Sequence, residues 1–163
     1  MPVPSAGILL WRRRDAALEV FIAHMGGPFW AKKDAAAWSI PKGEFLPDED
    51  PLAAARREFG EEIGVPAPEH DYALLGEFRQ ASGKVVTVFD AESGFEVATV
   101  HSNTFTAEWP PKSGRVQDFP EIDRAEWMPV ADAAWRLVKG QVPVLDALER
   151  AIAGRANPGR ANP

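Results

Sequence analysis

Between Gly43 and Val65 the chain carries Glu58, Glu61 and Glu62 at i, i+3, i+4 spacing, inside a segment whose ends are marked for a helix. At about 100° per residue the three carboxylates share one arc of roughly 100°, and Leu52, Phe59 and Ile63 cluster on the other side. Asp50 is the predicted N-cap, and Pro51 suits the first turn because its missing N–H costs nothing there. Gly64 suits the residue just past the end, and Pro66 and Pro68 prevent continuation, so the helix is expected over 51–63. Its apolar floor must be buried against another layer. Its acidic roof carries like charges that cost a few tenths of a kcal/mol at i, i+4 spacing, and a cation held between them turns that cost into a site.

The rest of the chain supplies the layer. Ala6–Trp11 reads as a buried strand, Arg12–Ala16 as a polar turn, and Leu18–His24 as the hairpin partner. Gly26-Gly27-Pro28 opens a loop that runs through Ala37, Trp38–Ile40 is a short strand stopped by Pro41, and Lys42–Glu44 is a turn. Further strands are expected at Tyr72–Arg79, Lys84–Ala91, Phe95–Val100, Thr104–Trp109 and Glu126–Val130, with a loop over 110–115 and helices at about 131–139 and 143–153. Strands arranged both as hairpins and around helices imply an α/β (α+β) fold, a mixed sheet with helices on its faces. One domain over 1–153 is expected, followed by a low-complexity tail over 154–163 in which Gly-Arg-Ala-Asn-Pro occurs twice.

A chain of 163 residues with 45% hydrophobic and 26% charged residues is long enough and apolar enough for a proper core. There are no cysteines, which excludes disulfides and thiolate metal sites. No secretory signal precedes Ala6 and no apolar run approaches the roughly 20 residues that span a bilayer, so a cytoplasmic protein without membrane partners is expected. The net charge of −6 argues against general nucleic-acid binding. Six of the acids lie in residues 48–62 against two arginines, so an anionic substrate is repelled there unless metal ions intervene.

The spacing Gly43-x5-Glu49-x7-Arg57-Glu58-Phe59-x-Glu61-Glu62-x-Gly64-Val65 resembles the Nudix box position for position, Phe59 standing where the family prefers an aliphatic residue. The resemblance extends from about Ala6 to Val130. It implies an α/β/α sandwich with the box as loop and helix, and a hydrolase that uses water to cleave a phosphoanhydride in a nucleoside diphosphate linked to another group. It also implies Mg2+ or Mn2+ as cofactor. By the resemblance Glu58 and Glu62 are direct metal ligands with Glu61 beside them, and Glu49 is a further ligand, direct or through water. Arg57 would orient the glutamates, and Gly43 and Gly64 would shape the loop and the helix exit. The physics agrees, since a hard cation prefers carboxylate and phosphate oxygens.

The family often takes a general base from outside the box. Glu121, six residues before Trp127 at the expected opening of the last strand, occupies a place like that of a glutamate in the branch that removes oxidised nucleoside triphosphates, although Asp118, Asp123 and Glu126 compete for the role. Lys42, beside the box, is the strongest candidate for phosphate contact; Lys84, Lys112 and Arg115 are weaker, since surface solubility explains them. Trp30 and Trp109 lie in or beside loops, where a ring can stack on a base or simply pack, whereas Trp11, Trp38, Trp127 and Trp135 are expected in the core.

Other chemistries find little footing. His24, His70 and His101 have no ligand spacing, and neither a Gly-x-Ser-x-Gly elbow nor a phosphate loop is present. Asp48-Glu49-Asp50 lacks the glycine and glutamate of a calcium loop. The leading expectation is hydrolysis of a dinucleoside polyphosphate or an ordinary or oxidised (d)NTP. ADP-ribose, a diphosphoinositol polyphosphate, and a non-catalytic nucleotide-sensing module are the alternatives. A monomer and a homodimer are both compatible with the sequence.

Overall fold

The computed structural model describes residues 3–156. Strands β1 (Ser5–Arg14) and β2 (Ala17–Met25) form a hairpin, followed by β3 (Trp38–Ser39), β4 (Lys42–Glu44) and helix α1 (Pro51–Ile63). Then come β5 (Ala73–Arg79), β6 (Val85–Glu92), β7 (Thr104–Glu108), β8 (Val116–Pro120) and β9 (Ile122–Pro129). Helix α2 (Val130–Arg136), a 3-10 turn over Lys139–Gln141 and helix α3 (Val142–Ala156) complete the chain. Among the described residues no helix is long and apolar enough to cross a membrane.

β1 is the axis of the main sheet. It runs parallel to β6 from Ser5 to Trp11 and antiparallel to β2 and β4, while β5 pairs β6 and β9 pairs β2. The near-continuous apolar run of β1 follows from burial on both faces. Ala6, Ile8 and Leu10 face α1, together with Phe21 and Ala23 of β2. Leu9, Trp11, Val20 and Ile22 face the opposite way, toward Ala133 of α2 and Leu145 and Leu148 of α3. The two-residue period of the strands thus builds two cores, and the fold is a mixed sheet sandwiched between helices.

One irregularity positions the site. β1 pairs β2 only over Trp11–Arg14, and β4 takes the same edge of β1 over Ser5–Gly7. The two strands of the hairpin therefore splay, with β3 against the end of β2 and β4 against the start of β1. Lys42–Glu44 is a short strand rather than a free turn, so Gly43 is locked into the sheet immediately beside α1.

The structure corrects several expectations. Phe95–Val100 forms no strand: Phe95, Val97 and Val100 pack onto the core under α1 from an irregular segment whose Phe95 carbonyl accepts a bond of 2.9 Å from Trp127 Nε1. Their alternation reports a buried face rather than a ladder. β8 is unforeseen because Val116–Pro120 is mostly exposed, without a buried face, and pairs only with β7, in a ribbon separate from the main sheet. β9 begins at Ile122, so Trp127 lies near its end, half-buried, with the Arg12 guanidinium 4.3 Å over its ring. Trp135 is 48% exposed and stacked by Arg136 rather than in the core. Gly154–Ala156 belong to α3, and the remainder of the expected tail lies outside the described residues.

Phe59 also finds its reason here. Its ring meets Phe95 edge-on at 5.4 Å and Phe21 at 6.3 Å, and Phe21 in turn packs on Trp127. The floor under the helix is thus aromatic.

Candidate active site

Both ends of α1 are closed. Asp50 Oδ2 accepts from Ala53 N–H at 3.0 Å, and Gly64, at φ +94°, donates its N–H to Gly60. At the C-terminal end, where carbonyls lack helical partners, His101 N–H reaches Ile63 O and Asn103 N–H reaches Glu61 O, each at 2.9 Å. A side chain at position 64 would collide with the His101 carbonyl, at 2.5 Å from the Cβ, so glycine is required for this docking as well as for its φ.

The three glutamates are not equivalent. Glu62 is buried: Oε1 accepts from the Lys42 N–H at 3.2 Å, and Oε2 has no partner. Burial pushes its carboxyl up to about 8, the Lys42 N–H opposing and the neighbouring Glu58 and Glu121 charges adding to it. Glu58 is partly buried and also raised, chiefly by desolvation. Glu61 is more open and receives Arg57 Nη1 at 3.3 Å. The acidic roof is therefore partly sunk into the protein.

Arg57 bonds to three of the carboxylates around it. Its Nε and Nη2 grip both oxygens of Glu49 at 3.0 and 3.1 Å, while Nη1 donates to Glu58 at 2.8 Å. Such forked, charge-assisted bonds fix orientation as well as charge. They hold the Glu49 carboxyl below its ordinary value and raise the guanidinium further.

Gly43 leaves room for Glu58. A Cβ at position 43 would lie 1.9 Å from Glu58 Oε2. Gly43→Ala is therefore expected to displace that carboxylate and lower turnover by about a hundredfold, the scale of an ångström-sized misplacement. Its melting temperature should barely change, because the displaced group is the end of a flexible side chain. Steady-state kinetics beside a melting curve checks both.

Glu121 is distinguished from its competitors. It lies between β8 and β9, its N–H bonded to Asn103 O and its carbonyl to Gly26 N–H. The residue is exposed, and local desolvation, with the Glu61 charge second, raises its carboxyl. Asp123 is engaged with Nδ1 of the buried His24 at 2.8 Å and Asp118 accepts from Thr106, while Glu126 is an exposed residue of β9 opposite Ile22. Lys42 also belongs to the cluster: burial lowers its ammonium and Glu62 opposes the shift. Lys84 pairs with Glu44 at 2.8 Å.

Other candidates lie elsewhere. Lys112 and Arg115 sit in the β7–β8 connection, and among the described residues neither bonds to a box carboxylate. Trp30 packs on the edge of the core, and Trp109 is exposed at the end of β7. Phe29, Asn103 and Phe105 belong to no motif in the sequence, where Gly26-Gly27-Pro28 reads only as a break that opens a loop.

The residues fit a divalent cation. The donors are all carboxylate oxygens, the buried Glu62 Oε2 is unpartnered, and no Cβ at position 43 closes the space beside Glu58. Among the described residues no three carboxylates already converge as ligands, since Glu58 and Glu61 are turned onto Arg57.

Fold and site together define an α/β/α sandwich with a carboxylate cluster on a loop-helix. The family model described as the NUDIX domain matches residues 1–148, and the chain belongs to the Nudix family. It is 28% identical to an RNA pyrophosphohydrolase of Roseobacter denitrificans, over 90% of this chain and 91% of that protein. The fold is similar to that of a C. elegans Ap4A hydrolase in a binary complex, with TM-score 0.61 and 22% identity over 93% of this chain and 98% of that one. It is also similar to the NUDIX domain of Shewanella oneidensis NrtR complexed with ADP ribose, with TM-score 0.63 and 16% identity over 93% and 89%.

Proposed function

We propose that the protein is a Mg2+- or Mn2+-dependent Nudix pyrophosphohydrolase that cleaves a phosphoanhydride bond with water, in a dinucleoside polyphosphate or a (d)NTP. The observation that carries this is the half-satisfied Glu62 carboxylate, buried with Oε2 unpaired beside Glu58 and Glu61. A solvated acidic face would leave such a group exposed. Glu58 and Glu62 serve as direct ligands, with Glu61 beside them and Glu49 as a further one. Bound there, a divalent cation neutralises phosphate charge, polarises the phosphoryl group and acidifies water.

The chain's own residues supply the rest. Arg57 keeps Glu49, Glu58 and Glu61 gathered. The Lys42 ammonium meets a phosphate oxygen from the strand end beside Glu62. Glu121, at the β8–β9 junction bonded to Asn103 and Gly26, takes the proton from the attacking water. Glu121→Gln is accordingly expected to lower turnover by about a hundredfold with little change in metal binding, as for loss of general-base help. A fall below about threefold in the initial rate would remove Glu121 from the mechanism.

A hydrolysis screen with Mg2+ and with Mn2+ tests the proposal. It should include dinucleoside polyphosphates, (d)NTPs, ADP-ribose, a diphosphoinositol polyphosphate and, because of the Roseobacter relative, a 5′-triphosphorylated RNA oligonucleotide. A nucleoside monophosphate plus a phosphorylated remainder supports the reading. The net charge of −6 disfavours a long polyanion, so small nucleotides should outperform the RNA. Nucleotide binding without turnover of anything would favour a sensing module instead.

A further inference from the structure

Next to the carboxylates, the loop after β2 and the β7–β8 ribbon enclose a cavity of about 350 Å3. Phe29 and Trp30 line one side, Phe105 and Trp109 the other, and Gly26 and Gly27 lie between them. Phe29 is 59% exposed, and Phe105 and Trp109 are each 36% exposed. Single exposed rings are ordinary, but four rings around one concavity form an apolar patch of the kind that marks a binding site.

The two glycines let the walls approach. A Cβ on Gly26 would lie 2.1 Å from the Pro120 carbonyl oxygen, and one on Gly27, at φ +92°, would lie 2.6 Å from Phe105 Cζ. Backbone bonds tie the cavity's walls to the segments that carry the carboxylates. Gly26 N–H donates to the Glu121 carbonyl, Glu121 N–H to Asn103, and Asn103 N–H to the Glu61 carbonyl. Phe105 follows Asn103 by two residues. The segments that carry Glu121 and close α1 are thus the ones that shape the aromatic cavity.

We infer that this cavity binds the base of the nucleotide substrate by stacking. The inference rests on the hydrolase reading, which places the pyrophosphate on the glutamates. Among the lining side chains only the indole N–H groups are polar, so the walls offer π-faces rather than a hydrogen-bond code for a base edge. Stacking area then governs selectivity: purines are preferred over pyrimidines, and adenine and guanine are treated nearly alike.

Adenosine is the probe, because it carries no phosphate and binds without a metal. Indole N–H NMR signals should shift saturably with adenosine, less with cytidine and not with ribose. Phe29→Ala and Trp109→Ala should each weaken adenosine binding roughly tenfold or more, the scale of losing one stacking face. The same spectra report whether each variant is folded, and Phe29 is exposed enough for its loss to be tolerated. Unmoved indole signals, or unchanged affinity in both folded variants, would overturn the inference. So would light scattering that finds a dimer dissociated by Phe29→Ala, since the patch would then be an interface between copies. Failure of the hydrolase reading looks different: adenosine still binds, but no nucleotide is turned over with Mg2+.

Discussion

Glu62→Gln is expected to lower Mg2+-dependent turnover by at least about a hundredfold while the protein stays folded. Groups that merely orient a metal ligand typically cost 10- to 100-fold when lost, so removing a ligand should cost no less. The geometry favours Glu62 over its neighbours for this test. Its Oε1 is tied to the Lys42 N–H, and its Oε2 is buried without a partner. Gln keeps the shape and the first of these bonds but replaces the anionic oxygen with an amide. Mn2+ binding followed by electron paramagnetic resonance should weaken in parallel with turnover, and circular dichroism should match wild type. Unchanged Mn2+ affinity in the variant would assign the metal elsewhere.

Asp90→Ala is expected to destabilise the protein by about 3 kcal/mol, a loss of roughly 6–12 °C in melting temperature for a domain of this size. Asp90 is buried on β6, where it accepts from Trp11 Nε1 at 3.0 Å and from both terminal nitrogens of Arg155 at 2.7 and 2.9 Å. One carboxylate thereby joins β6, β1 and the last turn of α3. Truncation leaves the indole N–H buried without an acceptor, whereas Arg155, 43% exposed, can turn to water. That release keeps the cost at the lower end for a broken buried pair. Thermal unfolding measures it, and a shift below about 2 °C would mean that water or another acceptor replaces the carboxylate.

These two sites differ in how legible they are from sequence. The glutamates of the helix are local: spacing, cap residues and the box fall within 23 positions, and α1 forms over the expected residues with the expected cap. Asp90 pairs with partners 79 and 65 residues away, and no local pattern reports such a contact. The same limit explains β4 and β8. Lys42–Glu44 becomes a strand only because β1 and β2 splay apart, and Val116–Pro120 because β7 lies beside it.

Within the candidate site, spacing alone could not separate the three glutamates. It presented a charged face, and the fold sinks one member of it into the protein. Glu121 depended on tertiary structure as well, since Asp123 is distinguished from it by a bond to His24 and Asp118 by a bond to Thr106. The aromatic cavity was least legible. Its rings come from the loop after β2 and from the β7–β8 ribbon, about 75 residues apart, and the glycines between them read only as a break.

On the proposed reading the box carboxylates form a metal-dependent site for cleaving pyrophosphate. Phosphorus-31 NMR of a dinucleoside tetraphosphate and of a (d)NTP, with wild type and Glu62→Gln side by side, tests it most directly. The predicted result is a nucleoside monophosphate and a phosphorylated remainder from at least one substrate, formed by wild type with Mg2+ or Mn2+, suppressed by chelator and nearly absent with the variant. Equal turnover by Glu62→Gln, or hydrolysis by wild type that persists in chelator, would contradict it.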